Sequence, residues 1–271
     1  MCVGSIGRLL GSERKVNAYV LTMDDVGGER HANAKEAADR LGLPWQFVEG
    51  IRVEYPDLVT EYSKVRNFFF YRRSMSAGEI SVYLGHRKAW QMFLADECDF
   101  ALILEDDFQV TDHECLIQTI RDASEHSNRW DIIKFFDVWS KKIVTSIEIG
   151  SSRLVCRKYP PNGAVGYLIS RGAAEALLSR KPIYRPIDED ISRPWEFPLR
   201  VWSTETNLVT EISKSLGGSL LEEKRKQEEI FQRRNPVRGT LIRNILQIRK
   251  TFGALKYQSY MRALADHDHH A

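Results

Sequence analysis

The sequence predicts an α/β protein: a mixed, mostly parallel sheet flanked by helices, followed by a basic helical C-terminal tail. Three observations predict it. Short apolar runs alternate with helix-periodic segments from residue 16 onward. One run, Phe100-Ala101-Leu102-Ile103-Leu104, is apolar at every position, as a parallel strand covered on both faces must be. From Ile230 to Arg262 there are eight basic residues and no acidic one, so a tail carrying +8 is attached to a mildly acidic body.

Bulk composition sets the bounds. The 271 residues are 43% hydrophobic and 28% charged, enough apolar material for a sizeable core. With 39 Lys and Arg against 37 Asp and Glu, the net charge of +2 excludes a histone-like or acidic-tail protein on bulk charge, and a partner must be read from local sites. Four cysteines lie far apart without a CxxC pair, which suggests neither a zinc site nor a disulfide framework and fits a reducing cytosol. No run approaches the roughly 18 apolar residues that span a bilayer, and the first fifteen residues hold only short apolar pieces. The expectation is a cytoplasmic protein, able to sit on the inner face of a membrane.

Taken in order, Val16–Leu21 reads as a buried strand. A helix over about Glu29 to Leu41 follows, with Ala34, Ala37, Ala38 and Leu41 on one stripe and Gly42 placed for a left-handed cap. A strand at Trp45 to Val48 completes a βαβ start. Residues 52 to 75 mix aromatics with cations and read as a long loop, a kind of segment that often carries function. Ser76-Ala77-Gly78-Glu79 has capping-box spacing. The helix it opens, to about Leu94, aligns Tyr83, His86, Trp90 and Phe93 on one face.

The apolar strand at 100–104 runs into Glu105-Asp106-Asp107. Strands are expected at Asp131 to Phe136 and at Val165 to Ile169, the second after the turn signal Pro160-Pro161-Asn162-Gly163, and a helix from about Arg171 to Leu178. Pro182 to Asn207 reads as irregular, ahead of the short segment Leu208 to Ile212. The predicted organisation is an extension to residue 15, a main domain over 16–219, and the tail over 220–271.

In the tail, Leu241, Ile245, Ile248, Phe252 and Leu255 form one apolar stripe, with Arg243, Arg249, Lys250 and Lys256 outside it. Two readings stand: a basic amphipathic helix on an anionic membrane surface, or a helix packed on its own domain. Nothing pairs aromatics with a nucleic-acid-binding fold, so nucleic acid is not expected as a partner.

The acid triplet is the strongest chemical signal. If the backbone stays extended, Glu105 and Asp107 point to one side and Asp106 to the other, at the strand end where open α/β sheets bind ligands. Hard carboxylate oxygens suit Mg²⁺ or Mn²⁺, with waters and a substrate diphosphate as further ligands. The alternative is a solvated turn leading to a helix capped near Thr111 or Asp112.

Several motifs occur in a family's order and spacing: Gly78-Glu79-Ile80 with Tyr83-Leu84 and His86; Ala101-Leu102-Ile103-Leu104-Glu105-Asp106-Asp107; Trp130-Asp131-Ile132-Ile133-Lys134; Gly166-Tyr167-Leu168-Ile169-Ser170 with Ala173-Ala174; and Pro186-Ile187-Asp188. Over about residues 16 to 215 the chain resembles glycosyltransferase family 25, the bacterial lipooligosaccharide or lipopolysaccharide core galactosyltransferases and their relatives. The resemblance implies a GT-A-type, Rossmann-like sheet and an inverting hexosyl transfer, most simply of galactose from a UDP-sugar donor to a glycan or lipid-linked oligosaccharide acceptor.

It also implies roles. Glu105 and Asp107 would hold the metal, Mn²⁺ or Mg²⁺, and Asp188 would be the base, ahead of Glu189 and Asp190. Thr22, Asp24, Arg30, Glu79, His86 and Asp106 would line the donor site. Each has a plainer reading: Glu79 as the cap of its helix, His86 as a satisfied buried histidine, and the 188–190 acids as partners of Arg185 and Arg193. Lys134 could reach a phosphate. The chain departs from the family at Thr22-Met23-Asp24-Asp25, where an Asn-Leu-Asp-Arg type turn is usual, although Arg30 is kept. Two other functions are open: a non-catalytic module of the same fold that binds nucleotide sugar or carbohydrate, and a sugar-nucleotide pyrophosphorylase, against which Asp24-Asp25 argues because that turn would need a Gly-rich, basic phosphate loop.

Overall fold

The structure, a computed structural model, describes residues 14–23, 28–56, 59–71, 73–139, 142–213 and 236–268, with side chains of the last segment described over 244–266. The alternation of apolar runs and helical segments becomes β1 (Val16–Thr22), α1 (Glu29–Asp39), β2 (Trp45–Glu49), α2 (Lys64–Phe70), α3 (Ala77–Ala95) and β3 (Phe100–Glu105). Then come β4 (Phe108–Val110), α4 (His113–Glu125), β5 (Ile132–Lys134), β6 (Ile143–Ile149), β7 (Ser152–Arg157), β8 (Gly166–Ser170) and α5 (Arg171–Leu178). The chain continues through α6 (Ile187–Ile191), a 3-10 turn at Pro194–Glu196, β9 (Val201–Thr204), β10 (Val209–Glu211) and α7 (Pro236–Asp268).

Eight strands form one sheet in the order β2-β1-β3-β8-β5-β9-β7-β6, and β4 pairs with β10 in a separate ribbon. The sheet is mixed: β8 and β7 run against the other six. This is the mixed, mostly parallel α/β sheet with flanking helices that the sequence predicts. Successive residues of a strand face opposite sides, and here they enter two cores. Ala18, Val20, Leu102 and Leu104 join the core under α1, α4 and α7, while Tyr19, Leu21, Ala101 and Ile103 join the core under α3 and α5.

Several local expectations hold in detail. Ser76 and Glu79 make the capping box of α3, Gly42 takes φ +68°, and α5 spans the predicted residues. Asp112 caps α4, its side chain accepting from the Cys115 N–H at 2.9 Å. Gly163 of the predicted turn sits at φ +110° with the Phe136 ring 2.9 Å from where a Cβ would stand, so both conformation and space require glycine.

Other expectations fail. The segment read as a loop contains α2, and the stretch read as irregular contains α6 and β9. The β6–β7 hairpin at the sheet edge carries no strand expectation in the sequence at all. Among the described residues, no helix is long and apolar enough to cross a membrane.

The tail helix α7 packs on the sheet, but not through the expected stripe. Ala254, Tyr257, Met261 and Ala265 are buried, whereas Ile245, Ile248, Phe252 and Leu255 are exposed; Leu241 lies outside the described side chains. The Tyr257 hydroxyl accepts from the Val201 N–H at 2.8 Å and donates to the Val201 carbonyl at 3.2 Å, completing β9 beyond its last pairing with β7. Removing it in Tyr257→Phe leaves a buried backbone pair unmet, an expected loss of about 1–3 kcal/mol. Chemical denaturation of wild type and variant measures it; an unchanged midpoint would count against this docking role.

Candidate active site

The site begins where β3 ends. Parallel pairing places Glu105 beside Leu21 of β1, so Thr22 and Met23 overhang the acid triplet. The backbone turns at Asp106 and Asp107 before β4, so the strict alternation expected of an extended chain is broken. Asp106 and Asp107 therefore meet the same arginine. Arg30 Nη1 donates to Asp106 Oδ1 at 3.1 Å and to Asp107 Oδ2 at 3.4 Å. Asp106 Oδ2 accepts from Thr22 Oγ1 at 2.8 Å and from the Met23 N–H at 3.3 Å. Asp24, expected beside them, lies outside the described residues.

Glu105 faces the other way, toward α3. His86 is fully buried, its Nδ1 2.9 Å from the Tyr167 hydroxyl and its Nε2 3.3 Å from Glu105 Oε1, and the Trp90 Nε1–H donates to the same hydroxyl at 3.0 Å. One tautomer gives each hydrogen an acceptor: Trp90 N–H to Tyr167, Tyr167 O–H to His86 Nδ1, and His86 Nε2–H to Glu105. Burial pushes the His86 pKa down to about 3, against an opposing influence from Asp188, so the imidazole is neutral and the chain of donors is polarised toward Glu105. His86 thus holds a site carboxylate in place.

The carboxylates strain against one another. Glu105 is held well above the usual carboxylate range, first by burial and then by the charges of Glu211, Asp106 and Asp188, with Arg30 opposing. Asp107 is raised first by burial, then by Glu105 and Glu211, again with Arg30 opposing. Glu211 was not singled out by sequence reasoning. It ends β10, opposite Phe108 of β4, and the Ile212 N–H donates to the Asp107 carbonyl at 2.8 Å. An acid one strand-length after an apolar pair was the only available signal, and it means little until β10 is laid against β4.

The acids of α6 separate by partner. Asp190 is ion-paired with Arg185 and accepts from the Tyr83 hydroxyl; Glu189 pairs with Arg193 at 2.8 Å and lies 3.7 Å from Lys250. Asp188 is partly exposed, and its charge reaches Glu105, His86 and Arg73. Glu79, expected in the donor site, is instead buried as a cap: it accepts from the Ser76 N–H at 3.0 Å and from Arg73 Nη1 at 2.7 Å. Lys134 does not reach outward either. It is buried, with Nζ on Asp137 Oδ1 at 2.9 Å and on the Pro161 carbonyl, so it braces the turn that presents Asn162 to Glu189.

The residues at the end of β3 fit a small, hard divalent cation. Asp107 Oδ1 is buried with no hydrogen-bond partner, and a cation would relieve the repulsion that raises Glu105 and Asp107. Among the described residues, no three acidic, His or Cys side chains already converge on one ion position. Mg²⁺ and Mn²⁺ ordinarily complete their shells with water and substrate phosphate, so two protein carboxylates are a sufficient start.

The model of glycosyltransferase family 25 (LPS biosynthesis protein) matches residues 17–191, and the chain belongs to that family. It is 30% identical over 125 residues to a glycosyltransferase 25 family member of Aedes aegypti, covering 45% of this chain and 20% of the relative. A Drosophila melanogaster family member is 28% identical over 139 residues, covering 49% and 22%. The chain spans about a fifth of the length of these curated relatives. Among solved structures, a glycosyltransferase involved in the glycosylation of the major capsid of PBCV-1 covers 80% of this chain and 99% of its own, at 11% identity and a TM-score of 0.33.

Two outcomes test this geometry. A carboxyl group raised in the folded state binds more protons there than when unfolded, so stability falls as pH rises from the ordinary value to the raised one, from 4.5 to about 8 for Glu105 and from 3.8 to about 7 for Asp107. Melting temperatures of the metal-free protein should decline over that window, and less steeply in Asp107→Asn. Tyr167→Phe strands His86 Nδ1 and the Trp90 N–H, an expected cost of about 1–3 kcal/mol for each buried group by urea denaturation.

Proposed function

We propose that this chain transfers a hexosyl group, galactose by its family resemblance, from a UDP-sugar to a hydroxyl of a glycan such as a lipooligosaccharide, with inversion at the anomeric carbon. The observation that carries the proposal is the strained acid pair Glu105 and Asp107, with an orphaned oxygen on Asp107 and Asp188 within electrostatic reach. Bound there, Mn²⁺ or Mg²⁺ would supply charge stabilisation for a departing diphosphate. The chain's own groups do the rest. Thr22 and Arg30 fix Asp106 beside the proposed donor site. His86 keeps Glu105 oriented.

Asp188 is the base in this proposal, by the family resemblance and because its charge reaches Glu105 and His86. It takes the proton of the acceptor hydroxyl as that oxygen bonds to the anomeric carbon and the bond from that carbon to the diphosphate breaks on the opposite face. A protein on the inner face of a membrane would meet such an acceptor on its lipid carrier.

A second reading draws on Arg30, which spans Asp106 and Asp107 close to where a cation would bind. It is a module that binds nucleotide sugar without turning it over. Transfer from UDP-sugars to glycan acceptors, with and without EDTA, separates the two. The expected result is EDTA-sensitive transfer, abolished in Asp107→Ala. In Asp188→Asn, kcat should fall at least about a hundredfold, the scale of a lost general base, while the thermal shift induced by UDP persists. Binding of UDP with no turnover on any acceptor favours the module, and transfer indifferent to EDTA and to Asp107→Ala defeats the metal assignment.

A further inference from the structure

Helix α2 is inside out. Of its seven residues only Asn67 is buried, while Val65, Phe68, Phe69 and Phe70 are 68%, 43%, 59% and 41% exposed. Polar contacts hold it in that orientation. Asn67 Nδ2 donates to the carbonyls of Arg73 at 3.0 Å and Tyr184 at 2.8 Å, and Ser63 caps the helix by accepting from the Arg66 N–H at 3.2 Å. The rings are also ordered among themselves, Phe68 edge-on to Phe69 at 5.1 Å and Phe70 against Tyr184 at 5.7 Å. A fixed aromatic cluster facing water marks an interaction surface far more often than scattered apolar residues do.

A second apolar surface adjoins it. The outer stripe of α7 exposes Ile245, Ile248, Phe252 and Leu255 at 48%, 56%, 70% and 50%, while the opposite side of the helix is buried on the sheet. Arg249 on this helix lies over the Phe70 ring at 6.0 Å, which brings the two surfaces side by side although they are far apart in sequence. Their charge has one sign. Lys64 and Arg66 lie on α2, Arg249 and Lys256 flank the α7 stripe, and neither α2 nor residues 236–262 contain an acid. The patch also adjoins the candidate site. Arg73 feels the charge of Asp188, and Lys250 lies 3.7 Å from Glu189.

We infer that α2 and the outer stripe of α7 together form a docking surface for an anionic phospholipid bilayer. The phenylalanines and aliphatic side chains seat at the boundary between headgroups and acyl chains, and the cations meet the anionic headgroups. Charge complementarity selects this occupant: a protein partner or a second copy of this chain would need acids opposite the four cations, and neither α2 nor the α7 stripe supplies one to another copy. Docking would hold the rim beside Asp188 against the membrane. The inference goes beyond the proposed reaction and is read without donor or acceptor, so either can fail alone.

Co-sedimentation with phosphatidylcholine vesicles, with and without phosphatidylglycerol, tests it. Binding is expected only when phosphatidylglycerol is present, and it should weaken at high salt. The pairs Phe68→Ser/Phe69→Ser and Ile248→Ser/Phe252→Ser should each reduce it about tenfold or more, as loss of buried apolar area at an interface predicts. Arg66→Glu/Lys256→Glu, which leaves the apolar residues intact, should reduce it too and guards against a misfolded serine variant. Binding that ignores lipid charge, or that survives all three pairs, overturns the inference. So does a dimer by sedimentation velocity that Phe69→Ser dissolves while vesicles bind nothing, which would make this face a contact between copies.

Discussion

Three carboxylates leave the core together at the end of β3, and such groups cannot stay at low exposure without partners or a change of protonation. Much of the surrounding structure can be read as the answer to that constraint. Asp106 is the most fully satisfied, by Thr22, Met23 and Arg30. Glu105 receives a single polarised donor chain from α3 and β8. Asp107 keeps one buried oxygen without a partner, and β10 adds Glu211 to the repulsion instead of relieving it. The cation proposed for this site would relieve that repulsion. Arg30 limits the strain in the meantime.

The parts legible in the sequence are those whose signal is local. The capping box needs only Ser76 and Glu79 three residues apart, Gly42 only a helix end, and β3 only an unbroken apolar run. The acid triplet was legible for the same reason, because strand-end carboxylates need no distant partner to be noticed. Its geometry was not. Whether Asp106 and Asp107 diverge or converge depends on a backbone turn and on an arginine 76 residues away. Tyr167 illustrates the same limit: it stands in a quoted motif, yet its role as the bridge between Trp90 and His86 exists only once β8 lies under α3.

Elements were missed where tertiary context overrides pattern. In α2 the usual rule is reversed, with asparagine inside and three phenylalanines outside, so Lys64–Phe70 shows no inward apolar stripe to betray a helix. β9 is four residues long, all buried, and follows a run of prolines that reads as irregular. For α7 the periodicity was right, and of the two readings of its apolar stripe, packing of that stripe on the domain fails. Small and polar-tipped residues, Ala254, Tyr257, Gln258 and Ala265, fit closely against the sheet, and Gly253 lets the helix approach Trp195. The strongest apolar stripe was left outside. Hydrophobicity alone ranks faces by transfer energy, whereas close packing against a strand also favours small side chains and a hydroxyl that can complete the strand's hydrogen bonds.

The three acids of α6 show how one short helix divides labour without any difference in residue chemistry. Consecutive positions on a helix point about 100° apart, so Asp188, Glu189 and Asp190 must face three directions. Asp190 turns into the core, where an unpaired carboxylate would be prohibitively costly, and meets Arg185, Arg180 and Tyr83. Glu189 turns toward Arg193, Lys250 and the turn braced by Lys134. These two anchor the helix on both flanks. Asp188 is thereby held toward Glu105 and His86 from a backbone that its neighbours fix, with its side chain still open to solvent. A proton acceptor such as the one proposed needs a fixed backbone, since a mobile one would lose its aim.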